Sequence, residues 1–172
     1  MKNNRLSKSL EIKAVNQYKY DSKNVACLKY LLNFVLNFED SEKIIADLFY
    51  QYFNDENKMH DELYMSEKQI KNLSDLNYLG SHGHKHYPIG FLNKIDKEKM
   101  INYSQKIFLK KFKKKVDSFS FPYGSFDASD NCKSNLVKSD FKFAFTMERA
   151  VNKDLVQNFG LSRFSNNDMP GG

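Results

Sequence analysis

The change of hydrophobic period near residue 117 constrains this chain more than any other feature of its sequence. Before it, Met100, Ile101, Ile107, Phe108 and Phe112 recur at helical spacing and mark the inner face of a long helix over about residues 96–115. After it, residues 117–123 (DSFSFPY) set Phe119 and Phe121 against Ser118 and Ser120, the two-residue period of a strand, and Pro122 and Gly124 stop it. The order then repeats, with a helix over about 128–138, a second strand with alternating phenylalanines over 141–146, and a third strand over 158–164. Short strands separated by helices pair in parallel, because each helix carries the chain back to the start of the next strand. The expectation is an α/β fold with a parallel sheet or barrel.

The first 65 residues lack that rhythm. Val25, Leu28, Leu31, Leu32, Val35 and Leu36 predict one helix over residues 24–40, with a face wide enough to bury. Ser41 then caps a second helix, SEKIIADLFYQYF, with Glu42 in its opening turn where the helix dipole favours negative charge. A short helix follows through Met59 to Tyr64. Ser66 and Gln69 form a capping box ahead of Ile70, Leu73 and Leu76, and Gly80 ends that unit. The organisation expected is a helical insertion or appendage over residues 1–65 and an α/β portion over 66–172.

With 41% hydrophobic and 28% charged residues the chain has the make-up of a globular domain. No apolar run approaches the roughly 18 residues of a membrane span. The opening MKNNRLSKSLEIKAVNQY is polar throughout, so no secretory signal is visible and the compartment expected is the cytoplasm. The net charge of +6 comes almost wholly from lysine, with Arg5, Arg149 and Arg163 the arginines. Arginine is the usual reader of phosphates and bases, and Lys110 to Lys115 reads as a solvated helix face, so nucleic acid is not an expected partner. A lysine-rich helical protein binding anionic surfaces is the weaker reading that charge leaves, and it requires strongly salt-dependent binding. Cys27 lies in an apolar helical run as a buried reduced thiol, and Cys132 at a helix start. Far apart and without CxxC spacing, they form neither a disulfide framework nor a zinc knuckle.

Three of the four histidines, His82, His84 and His86, lie within five residues, and the other is His60. Neutral imidazole is a common metal ligand. On an extended chain all three would share a face. On a helical turn His82 and His86 would share one and His84 would point elsewhere. Gly83 leaves both geometries open, and a polar loop solvating the turn before Tyr87-Pro88 is the bland alternative. The HxHxDH loop of metallo-β-lactamases fails here, because His86 stands where that loop expects aspartate. NYLGSHGHKHYP instead resembles SHxxxHP, with His82 and His86 in place and the proline displaced by Tyr87. FSFPYGSFD resembles a second motif, F-A-Y-P-Y-G-S/T, through Phe119, Pro122, Tyr123, Gly124, Ser125 and Phe126, with Phe121 in place of tyrosine. NLVKSDFKFAFT adds Leu136, Val137, Lys138, Lys142, Ala144, Phe145 and Thr146, and GLSRF adds Leu161 and Arg163. In order, over about residues 66–164, these four segments resemble the NodB-type polysaccharide deacetylases.

That resemblance implies a partial, distorted (β/α) barrel and metal-dependent removal of the acetyl group from an N-acetylated amino sugar or glycan. It implies a divalent metal, zinc foremost, on one aspartate and two histidines, His82 and His86. The backbone N–H of Tyr123 would hold the oxyanion, with Pro122, Tyr123 and Gly124 lining the substrate. His84 matches no ligand position, and substrate contact or solvation are its alternatives. The departures are as informative. The family's TFDDG motif, source of the metal aspartate and the catalytic base, is absent, and neither Asp21 nor Asp40 follows a suitable strand. Ser120 stands where some members carry arginine, and no histidine follows His86 to act as general acid; Asp168 is a candidate for a polar role only. The expectation is therefore a domain lacking its first strand or strands and impaired when alone. Its unpaired sheet edge would invite a partner chain or self-association. A non-catalytic remnant, or a carbohydrate-binding module on the same scaffold, is the alternative.

Overall fold

Side-chain oxygens set where most of the helices begin. In the computed structural model, which describes residues 7–53, 55–124, 129, 131–153 and 158–169, Ser7 accepts from the N–H of Leu10 to open α1 (Lys8–Gln17). Asn37 does the same for α3 (Phe38–Tyr52), Asp55 for α4 (Glu56–Leu63) and Asn93 for α6 (Lys94–Phe112). Ser66 and Gln69 make the expected reciprocal capping box at the start of α5 (Glu67–Asp75). By backbone contacts the chain divides into two units, Met1–Tyr64 and Met65–Gly172. No described helix is long and apolar enough to cross a membrane.

In the first unit the single helix expected over residues 24–40 is two. Helix α2 (Lys23–Tyr30) runs into a π turn, Leu31–Val35, and Leu36 is extended. The cap of the next helix is Asn37, not Ser41, because the Asn37 side chain both accepts from the Asp40 N–H at 2.8 Å and donates to the Asp40 carboxylate. Glu39 and Asp40, rather than Glu42, occupy the opening turn. Ser41 sits buried within α3, and its hydroxyl donates to the Leu32 carbonyl at 2.7 Å, a group the helix break leaves available. Helix α1 lies where the sequence pattern signalled no element. It packs on α2, and Ala14 and Ala26 are each fully buried, while Leu28 stays 54% exposed and Val25 and Val35 are exposed as well. Cys27 is only partly buried.

The second unit carries the sheet. β1 (Ser118–Ser120), β2 (Phe143–Phe145) and β3 (Phe159–Leu161) pair in parallel in that order, and Ser81 adds a parallel bridge on the far side of β1. α6 and α7 (Lys133–Lys138) pack together, and Ile101, Phe119, Phe121, Leu136, Phe141 and Ala144 form the centre of the core. The arrangement is the expected mixed α/β one with a small parallel sheet. Its phenylalanines are not as expected. Ala144, in register with Phe119, is the buried residue of β2, so the two-residue period turns Phe143 and Phe145 away, and Phe143 is 37% exposed. Phe141, ahead of the strand, supplies the buried ring instead.

The lysine run is not simply a solvated face. Lys113 leaves α6 in the left-handed region, at φ +57°, which brings Lys114 to the end of α5. There its ammonium donates to the carbonyls of Ser74 and Asp75 at 3.1 and 3.0 Å, where helix ends leave acceptors unpaired and negative. Lys111 pairs with Glu67, and Lys115 with Asp140.

One buried amide joins α6 to the sheet. Gln105 donates to the carbonyls of Val116 and Ser139 at 2.9 and 3.2 Å and accepts from the Val116 N–H at 2.9 Å. Gln105→Ala removes the partner of three backbone groups. We expect it to cost at least about 2 kcal/mol in denaturant unfolding, against a few tenths for the exposed neighbour Lys106→Ala.

Candidate functional site

The histidine loop is held against the sheet by close backbone approach. A Cβ on Gly80 would lie 2.5 Å from the Ser118 hydroxyl and 3.3 Å from its carbonyl, so glycine is what lets this segment lie beside β1. Ser81 then donates from its N–H to the Ser118 carbonyl and accepts from the Ser120 N–H, each at 2.8 Å. Its buried hydroxyl donates to the hydroxyl of Ser104, which donates in turn to the Ile101 carbonyl, both at 2.8 Å. Gly83, at φ +78°, turns the chain off the sheet, and its N–H reaches the Ser81 hydroxyl at 3.3 Å.

His82 therefore emerges beyond the C-terminal end of the paired segment, the end at which parallel sheets place their ligand sites. Its Nδ1 lies 2.7 Å from the Ser120 carbonyl. A carbonyl can only accept, so this contact puts a proton on Nδ1 and leaves Nε2 as the nitrogen oriented to ligate. His86, itself left-handed at φ +56°, brings its ring to 4.8 Å from that of His82, inclined by 66°. Withdrawal from water, and secondly the charge His82 can carry, hold the His86 imidazole below the ordinary histidine range, so its neutral, ligating form is favoured. His84 goes elsewhere. Its ring lies 4.3 Å from that of Tyr103 on α6. The loop thus brings His82 and His86 together and separates His84, through positive φ at Gly83 and His86 rather than through a regular strand or helix.

The second motif faces the same pair. Pro122 is buried, and Tyr123 and Gly124 are both left-handed, at φ +60° and +56°. For tyrosine that conformation is costly, by roughly 1–2 kcal/mol, and it places the ring 5.0 Å from that of His86. Gly124 accepts from the Met147 N–H at 2.7 Å, and a Cβ there would lie 2.8 Å from that nitrogen and 2.4 Å from Met147 Cγ. Ser125 and Phe126 lie outside the described residues. The sequence did not single out Ser104, Tyr103 or Met147. The first two read as ordinary polar positions on α6, and the third carries no local signal.

Other carboxylates have partners of their own. Asp168 accepts from Arg149 and from the Ser165 N–H, each at 2.8 Å. Asp21 pairs with Lys29 at 2.7 Å, and His60 lies beside Asp61 and Tyr64. Among the described residues no three of His, Cys, Asp and Glu converge on a point that could hold a metal ion. His82 and His86 suit a metal as donors. A catalytic zinc site takes three protein ligands, so the described set does not complete one.

Alanine should separate the two glycines of the site. Gly83→Ala meets only ordinary contacts, with Ile89 and Pro122 both 3.6 Å away, and should cost about 1 kcal/mol through its positive φ. Gly124→Ala adds overlap with the Met147 backbone and should cost about 2–4 kcal/mol, both read from urea melts.

A family model described as polysaccharide deacetylase matches residues 36–136, more than half of the 172. The match takes in both histidines of the pair and Pro122–Gly124, and it begins within α2–α3 territory, at residue 36 rather than 66. Residues 137–164, which also carry part of the resemblance, lie beyond it. Neither a curated protein nor a solved structure matches the chain. The chain belongs to the polysaccharide deacetylase family.

Proposed function

We propose that the chain recognises an N-acetylated amino sugar within a glycan, and carries the histidine half of a centre that hydrolyses its N-acetyl group. The observation that carries this reading is the His82–His86 pair, oriented by the Ser120 carbonyl and faced by Tyr123, inside the region that matches the family. His82 and His86 are the residues that would hold a divalent metal, zinc foremost. Such an ion, when bound, supplies polarisation of a carbonyl and a water of lowered pKa. The backbone N–H of Tyr123 is the proposed oxyanion donor, and Pro122, Tyr123 and Gly124 the wall against which the acetamido group rests.

Hydrolysis by this chain alone is proposed to be impaired. Among the described residues no carboxylate joins the two histidines in a group that could hold a metal ion. The same observation favours a second reading, a glycan-binding module on the deacetylase scaffold without turnover. A partner chain pairing beside the Ser81 segment is one route by which an acidic side chain could join the site, since an unpaired strand edge accepts another strand.

Acetate release from an N-acetylglucosamine oligomer tests the reading. With zinc added, the purified chain should release acetate at close to the buffer rate, yet bind the oligomer, and His82→Ala should weaken that binding. Steady release of acetate that disappears in His82→Ala would instead establish a complete enzyme.

A further inference from the structure

Helix α3 turns one face inward at its start and leaves the rest of that face open. Ser41 is buried there, bonded to the Leu32 carbonyl. On the same face, at spacings of one, three and four residues, follow Ile44, Ile45, Leu48 and Tyr52, between 41% and 74% exposed. At 3.6 residues per turn, Asp40 and Asp47 flank this stripe on one side and Glu42 on the other, while Lys43 lies opposite. The outward face of α6 has the reverse character. It sets Ile95, Tyr103 and Leu109, all exposed, among Lys99, Lys106 and Lys110. A recess of about 600 Å³ runs along it, lined by Ile95, Lys99, Tyr103 and Lys106, with His84 in its wall. The contrast extends to the flanking sequence. Residues 37–64 hold eight carboxylates and two lysines, and residues 94–115 hold nine lysines and two carboxylates.

We propose that α3 of one chain docks on the α6 face of a second copy, and that α6 of the first receives α3 of the second in turn. Charge selects this pairing. An apolar stripe rimmed by carboxylates meets an apolar stripe rimmed by lysines, so the centres exclude water while the rims attract. Pairing α3 with α3, or α6 with α6, would bring like charges together instead. Length fits as well. Helix α3, with 15 residues, is about 22 Å long, and Ile95 to Leu109 spans about 21 Å. Because each chain carries both faces, a two-fold axis makes the contact twice and closes the assembly as a dimer. The carboxylates beside the α3 stripe set aside a lipid surface as its occupant, since helices that lie in a membrane interface carry lysine and arginine there.

The test is sedimentation equilibrium of the full chain at about 1–200 µM, with Leu48→Lys and Ile95→Glu, singly and mixed. Both positions are about half exposed or more, so each variant should keep the parent's melting temperature. Should Leu48→Lys lower it, Tyr52→Lys breaks the same face at a more exposed position. The parent should form dimers that weaken as salt rises from about 0.05 to about 0.5 M. Each variant alone should raise the dimer dissociation constant at least about tenfold. Mixed in equal amounts they should associate more tightly than either alone, because the intact α3 of Ile95→Glu meets the intact α6 of Leu48→Lys. A parent that stays monomeric throughout, a dimer that either variant leaves unchanged, or a mixture that associates no better than its components overturns the proposal.

Discussion

Ser81 is the joint on which the second unit's functional end depends. Its backbone brackets β1 by two 2.8 Å hydrogen bonds, and its buried hydroxyl ties the same point to α6 through Ser104. Both partners are buried, and among the described residues no buried side-chain nitrogen or oxygen lacks a hydrogen-bond partner. The joint therefore gains its bonds without leaving a desolvated group unpaired. Gly80 makes the approach sterically feasible, and everything beyond it inherits its position: His82 reaches Ser120 because Ser81 is already paired there. Loss of the joint would free the loop that carries all three clustered histidines.

Beyond that joint the backbone turns repeatedly into the left-handed region. Gly83, His86, Tyr123 and Gly124 all have positive φ, and two of them are not glycine. Strain of this kind persists where surrounding contacts over-determine it, and two of the six such non-glycine residues described, His86 and Tyr123, lie in the segments that bring His82, His86 and Tyr123 together. The same turns send His84 the other way, towards Tyr103. A single short loop thus serves two surfaces, a pair of imidazoles on one side and an open groove along α6 on the other.

Much of this was legible in the sequence because it depends on local rules. The Ser66–Gln69 capping box, the long α6, the alternation at Phe119 and Phe121 and the parallel order of the strands all follow from periodicity and cap chemistry. What escaped depends on competition or on long-range contact. Asn37 and Ser41 are both good caps, and only the break at Leu36 decides between them. Helix α1 has a weak apolar pattern and gains its place by packing on α2, with Ala14 fully buried. Phe143 and Phe145 alternate like Phe119 and Phe121, but the register makes Ala144 the inward residue. Lys114 looked solvated because its acceptors, at the end of α5, lie some forty residues away in the chain. In the site, the motifs indicated His82, His86 and Tyr123; no local pattern could show that Ser120 contributes its carbonyl rather than its side chain.

In the function proposed above, His82 and His86 act as one pair of donors while His84 does not. Zinc titration of the full chain, followed through the imidazole ¹⁵N resonances of its four histidines, tests it most directly. The His82 Nε2 and His86 signals should move together over the same zinc range, with His82 Nδ1 remaining protonated and His84 and His60 unmoved. Joint movement of His84 with the other two, or responses of His82 and His86 at separate zinc concentrations, would contradict it.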